Sequence, residues 1–200
     1  MRKLAEKKDN FKLQNFKIIR YDRPEQIGGG LAICIKDNIQ FKQINLKDGL
    51  KHKIEAMAVK ISYKNKWMNI LLIYNPCNNL KQNDIEYYSE QISDPKLIIG
   101  DFNAHHESWN PNSNLHHTNK TGKSLFEIIT ENNIMLLTPP GQITRIDPKN
   151  AKGSTLDLVL ASPTLSHLEV ETGPNIGSDH LPIIVKDKTI QKSPQSKEKK

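Results

Sequence analysis

Cysteine is almost missing from this sequence: Cys34 and Cys77 are the only two, far apart and without the paired spacing of a metal site or a disulfide framework. That excludes a disulfide-stapled scaffold and suits a reducing compartment. Aromatic residues are sparse too, at 6% of the chain. No apolar run approaches membrane-spanning length, and Met1-Arg2-Lys3-Leu4-Ala5-Glu6-Lys7-Lys8 contains no hydrophobic region of the kind a secretory signal needs. The expectation is an intracellular protein with no membrane partner. Gly28-Gly29-Gly30 has neither the dinucleotide-binding spacing nor a following Lys-Ser/Thr, so it is not a phosphate-cradling loop of the usual kinds. A tight turn or close backbone approach is the simpler use of those glycines.

Two hundred residues suffice for one domain with a substantial core. The net charge of +7 invites a nucleic-acid reading, but residues 1–10 carry +2 of it and residues 186–200 carry +4, which leaves the middle nearly neutral. Residues 1–10 read as a disordered start and 187–200 as a basic disordered tail, flanking a domain at 11–186.

Short apolar runs bounded by turn residues predict strands at Phe16–Tyr21, Leu31–Ile35, Ile39–Ile44, Ile54–Tyr63 and Trp67–Tyr74. Ile85, Tyr88 and Ile92 share one face of a helix over 83–92. Leu97-Ile98-Ile99 predicts a buried strand that ends abruptly in Gly100-Asp101-Phe102-Asn103-Ala104-His105-His106. The polar stretch Glu107–Asn119 reads as a surface loop, and Leu125, Phe126, Ile128 and Ile129 face the sheet from a second helix over 121–133. Further strands are expected at 134–137, 154–160, 168–171 and 181–185. Many strands with two covering helices make an α/β layered domain.

Polar groups at the exit of a buried strand lie at the sheet rim, where α/β folds place their chemistry. Asp101 and Asn103 there are candidates, although Asx residues after a strand also simply stabilise turns. Tyr74 falls at a strand exit as well, where an aromatic that packs and hydrogen-bonds locally is an equal reading. Asp157, inside Thr155-Leu156-Asp157-Leu158-Val159-Leu160, places an acid where burial demands a partner. Asp179 and His180 stand side by side before the last strand, and adjacent strand residues point to opposite faces, so they have different tasks. An acid able to take a proton from water, an amide, a His with a carboxylate to orient it, a carboxylate for a cation and a phenol form a kit for phosphodiester hydrolysis. The pairs His105-His106 and His116-His117 lack matching Cys spacing and diverge as neighbours, which argues against zinc.

Gly-Asp-Phe-Asn at 100–103, Tyr74 before Asn75-Pro76, Asp157 in its Leu-Asp-Leu strand and Ser-Asp-His at 178–180 follow the motif order of the endonuclease/exonuclease/phosphatase superfamily. From about Phe11 to Lys186 the chain resembles that superfamily. With Asp22-Arg23 before the triple glycine, Ala104-His105-His106 and Trp109, it resembles more narrowly the apurinic-type endonuclease domain of non-LTR retrotransposons. The resemblance implies a DNase I-like four-layered α/β sandwich and DNA nicking dependent on Mg²⁺ or Mn²⁺. It assigns water activation to Asp101, phosphate holding to Asn103, orientation of His180 to Asp157, donation to a non-bridging oxygen to His180, metal support to Asp179 and a scissile-phosphate contact to Tyr74, with His105 a further substrate-binding candidate. In such elements the nick exposes a 3′ hydroxyl that primes reverse transcription, so DNA and a reverse transcriptase domain are the implied partners and the nucleus the implied location. The alternatives are an inactive retroelement remnant with residual nucleic-acid binding, or a phosphatase acting on a small phosphoester. Family members also begin with a strand bearing an Asn and a second ending in a metal-ligand Glu. Only Met1–Asn15 precedes the Phe16 strand, so the expectation is a domain truncated at its N-terminus, with Glu25 and Glu55 poor substitutes.

Overall fold

A computed structural model describes residues 12–22, 30–47, 54–76, 82–111 and 118–190. The expected disordered start, Glu25, Gly28-Gly29, Cys77, His116-His117 and the chain after 190 lie outside these residues.

The centre is a six-stranded sheet. Its strands are β3 (Phe41–Ile44), β4 (Glu55–Tyr63), β5 (Lys66–Tyr74), β6 (Lys96–Asp101), β7 (Met135–Leu136) and β10 (Asp157–Ala161), and they stand in the order β3-β4-β5-β6-β10-β7. Short connections make β3-β4-β5 antiparallel, as their spacing requires, whereas β5 and β6 run parallel and are joined through helix α1 (Gln82–Glu90). Three further elements shape the site: α2 (Lys120–Glu131), and the short pair β8 (Arg145–Ile146) with β9 (Gly153–Ser154). Hairpins β1 (Phe16–Tyr21) with β2 (Leu31–Lys36) and β11 (Leu168–Thr172) with β12 (Ile183–Asp187) complete the described strands.

Both faces of the sheet are covered. On one, Ile85, Tyr88 and Ile92 of the α1 segment and Leu125 and Ile128 of α2 pack on Leu71, Ile73, Ile98, Leu158 and Leu160. On the other, Leu165, Leu168 and Val170 close over Met68, Leu97, Val159 and Ala161. Alternation along β10 therefore sends Leu158 and Leu160 to the helices and Val159 and Ala161 to the hairpin layer. The β4 strand, read as half-buried, is buried on both sides for the same reason.

Four local differences from the sequence expectations have physical causes. The strand expected over 154–160 is split into β9 and β10, because the Thr144 hydroxyl accepts the backbone N–H of both Leu156 (2.9 Å) and Asp157 (3.0 Å). Phe126 turns out of the sheet contact and stacks on His106, with ring centroids 4.3 Å apart. Trp109, expected in a surface loop, is fully buried, its indole N–H donating to the Ala104 carbonyl at 2.9 Å. Asp187, where the basic tail was expected to begin, is the last residue of β12, and its carboxylate accepts from Tyr63 and pairs with Lys64.

Candidate active site

Register builds the site before any side chain is considered. Glu55 of β4 lies opposite Tyr74 of β5, Tyr74 opposite Asp101 of β6, and Asp101 opposite Asp157 of β10. Directly opposed residues on neighbouring strands project to the same face, so this row crosses four strands at one end of the sheet. The face is that of the hairpin layer, since Leu97 and Ile99 on β6 and Val159 on β10 alternate in phase with the two acids. Gly100 permits the close approach: a Cβ there would lie 1.8 Å from the Ile73 carbonyl oxygen. Gly30, Leu31, Leu72, Tyr74 and Asp101 line a cleft beside the row.

Past β6 the chain turns sharply. Asn103 has φ of +47°, a left-handed conformation that Asn tolerates better than most residues. Its backbone N–H donates to Asp101 Oδ1 at 3.0 Å, and its side-chain amide donates to the Asn75 carbonyl at 2.8 Å. Asn75 returns the contact through Nδ2 to the Phe102 carbonyl at 2.8 Å. The turn-forming use of Asp101 and Asn103 is thus realised, and it engages both carboxylate oxygens, Oδ2 through a longer 3.4 Å bond from Asn103 Nδ2. Asn119, which caps α2, locks the other side of the loop: Oδ1 accepts from Gly122 N (2.7 Å) and His105 N (3.0 Å), and Nδ2 donates to the Asn103 carbonyl (2.8 Å). His105 is pinned through its backbone. His106 is packed between Trp109 and Phe126, and burial lowers its imidazole below the ordinary His value.

The Ser178-Asp179-His180 segment reaches the row through β8. Ile146 N donates to the Asp179 carbonyl at 2.7 Å, Leu181 N to the Thr144 carbonyl at 2.7 Å, and Arg145 bridges to His180 in antiparallel register. His180 Nδ1 comes within 2.8 Å of Asp157 Oδ2. Asp101, Asp157 and His180 bring one ligand-type atom each to within 4.8 Å of one another, from three segments distant in sequence. Burial raises the Asp101 carboxyl above the ordinary carboxylate value, the charge of Asp157 raises it further, and its bond from Asn103, His180 and Arg145 partly offset the rise.

Asp179 is elsewhere. Its Oδ2 accepts from Arg145 Nε at 3.1 Å, and it is not among the three converging groups. Adjacent residues on an extended segment diverge, so His180 facing Asp157 turns Asp179 toward Arg145. Sequence reasoning singled out neither Arg145, Asn75 nor Asn119. Only the capping position of Asn119, one residue before an amphipathic helix, carried a local signal.

A family model described as Endonuclease-reverse transcriptase matches residues 68–184, more than half of the chain. The chain belongs to that family. No curated protein sequence matches it. Among solved structures, the endonuclease domain of TRAS1, a telomere-specific non-LTR retrotransposon, is similar with a TM-score of 0.65 at 16% identity, over 90% of this chain and 83% of that one. The human Nocturnin catalytic domain follows with a TM-score of 0.52 at 18% identity, over 86% and 71%. An endonuclease/exonuclease/phosphatase family protein from Bacteroides thetaiotaomicron gives 0.53 at 14% identity, over 86% and 74%. These likenesses establish the DNase I-like α/β fold. Among the described residues, no helix is long and apolar enough to cross a membrane.

Proposed function

We propose that this chain is a DNA-nicking endonuclease domain of a non-LTR retrotransposon, hydrolysing a phosphodiester bond so that the freed 3′ hydroxyl primes reverse transcription. The observation that carries the reading is the convergence of Asp101, Asp157 and His180 at the strand exits, each from a separate part of the chain. A merely structural acid in a strand needs one partner; two carboxylates set opposite each other beside an open cleft are held at an energetic disadvantage that a reaction can use.

Asp101 takes a proton from the attacking water. Its carboxylate, opposite Asp157 and lining the cleft, is the base that the row offers for that proton. Asp157 accepts the Nδ1–H of His180, which fixes the tautomer and orients Nε2 toward a phosphate oxygen. Asn103 holds the phosphate from a loop kept rigid by the Asn75 amide, which donates to the Phe102 carbonyl, and by the Asn119 amide, which donates to the Asn103 carbonyl. Tyr74, next to Asp101 in the row, contacts the scissile phosphate, and His105 contacts the substrate.

The donor set suits a divalent cation. Asp101 and Asp157 would hold Mg²⁺ or Mn²⁺, whose charge would relieve their repulsion and stabilise the pentacovalent transition state. DNA is the substrate, a reverse transcriptase domain the functional partner, and the nucleus the working compartment. The test is relaxation of supercoiled plasmid to nicked circles in Mg²⁺, with Asp101→Ala and His180→Ala as controls. Wild-type protein should nick and both variants should lose about 100-fold or more. Intact plasmid with folded wild-type protein and excess metal would reject the reading.

A further inference from the structure

Two carboxylates at a phosphodiester-cleaving centre repel the substrate they act on. Some cation must offset them on the DNA side. Among the described residues Arg145 is placed to do this, because β8 carries it into register with His180 at the edge of the row. It is about one-third exposed, and among the described residues its guanidinium donates from Nε to Asp179 Oδ2, which leaves the two terminal amino groups for another acceptor. A guanidinium anchored through Nε presents those groups as a planar fork, the geometry that matches two phosphate oxygens.

We infer that Arg145 is a phosphate-binding residue for the DNA strand and that Asp179 is its positioning residue rather than a metal ligand. The inference deepens the nuclease reading, since it supposes DNA at the same site. Asp179 acts only through the guanidinium. Its removal therefore has an effect opposite to that of deleting an acid near DNA: simple loss of negative charge tightens binding, whereas loss of the anchor weakens it.

The test measures binding and metal separately from cleavage. Fluorescence anisotropy of a labelled DNA duplex in EDTA compares wild type, Arg145→Ala, Arg145→Lys, Asp179→Ala and the double alanine variant over a range of salt. Titration calorimetry with Mn²⁺ alone is run on the same proteins. Arg145→Ala should weaken duplex binding about tenfold and reduce the salt slope by about 1. Arg145→Lys, which keeps the charge without the fork, should fall between. Asp179→Ala should also weaken binding, add nothing further to Arg145→Ala, and leave Mn²⁺ affinity unchanged. Duplex binding by Arg145→Lys and Arg145→Ala equal to wild type, with native melting curves, would overturn the phosphate role. Tighter DNA binding or a lost Mn²⁺ heat in Asp179→Ala would overturn the positioning role. Absence of plasmid nicking by wild type, with these binding differences intact, would remove the nuclease reading and still support Arg145 as the phosphate contact.

Discussion

Asp101 and Asp157 face each other directly across the antiparallel β6–β10 pair. Like charges in that relationship destabilise a sheet, and burial of Asp101 increases the effect. The fold holds this arrangement because the surrounding contacts are stronger: Gly100 against Ile73, the Asn75–Phe102–Asn103 hydrogen bonds, and His180 on Asp157.

Replacing Asp101 with Asn should therefore stabilise the metal-free protein while abolishing nicking. Asn Oδ1 retains the bond from Asn103 N, and the charge opposite Asp157 is gone. The raised carboxyl is a group the folded state protonates more readily than the unfolded state. Its charged form is penalised at neutral pH, and the penalty vanishes as pH falls through the ordinary carboxylate range. Asp101→Asn should gain about 1 kcal/mol at neutral pH and little near pH ~3.5. Urea unfolding at the two pH values checks this, and equal midpoints for variant and wild type at neutral pH would contradict it.

Gly100 stands opposite Ile73 where β5 and β6 reach the site. The Cβ of Gly100→Ala would meet backbone atoms of Ile73, with the carbonyl carbon at 2.7 Å, and neither strand has a flexible side chain to move aside. Tyr74 and Asp101, which follow these two residues, must shift with them. The expected loss is about 3 kcal/mol in stability together with most of the nicking activity. Thermal unfolding and the plasmid assay on the same preparation measure both, and a native-like variant with full activity would show the strands to be more compliant than their geometry implies.

Strand β6, the Ile85-Tyr88-Ile92 face and the Asp101, Asp157 and His180 candidates were legible because each is encoded locally: an apolar run with a sharp polar exit, a helical spacing, or an acid where none should be buried. Other features depend on distant segments. Arg145 lies in a two-residue strand whose partners are at 153–154 and 180, so nothing within its own neighbourhood marks it. Asp179, which the resemblance assigned to metal support, has a partner in Arg145 that only β8 brings to it. Trp109 sits among Glu107, Ser108, Asn110 and Pro111, a polar context that predicts a loop; it is a loop, folded back into the core.

That buried indole gives a third prediction. Trp109 fills space beneath the 102–106 loop and satisfies the Ala104 carbonyl, one residue after Asn103. Asn110 beside it exchanges two hydrogen bonds with the Thr155 backbone, tying the loop to the start of β10. Trp109→Ala should cost about 3–5 kcal/mol. Trp109→Phe should cost less in stability, but it strips the Ala104 carbonyl of its donor and should still lower nicking. Retained activity in a stable Trp109→Phe protein would mean the loop holds its shape without that bond.

The last prediction concerns the opposite end of the sheet. Burial alone would push the Asp187 carboxyl up, but Lys64, Tyr63 and Thr189 outweigh it and hold the group below the usual carboxylate range. Burial, joined by the same contact with Asp187, drives the Tyr63 phenol well above its ordinary value. For an acid whose folded value is depressed, the stabilisation is present above the unfolded value of about 3.9 and is lost as pH falls through the folded one. The β12 strand is thereby clamped to the β4–β5 turn, and β12 follows directly on the Asp179-His180-Leu181 segment. Asp187→Asn should lower stability at neutral pH and flatten its decline in acid, leaving the unfolding midpoint less dependent on pH below about 4 than in wild type. Parallel acid slopes for the two proteins would place the acid sensitivity in other carboxylates.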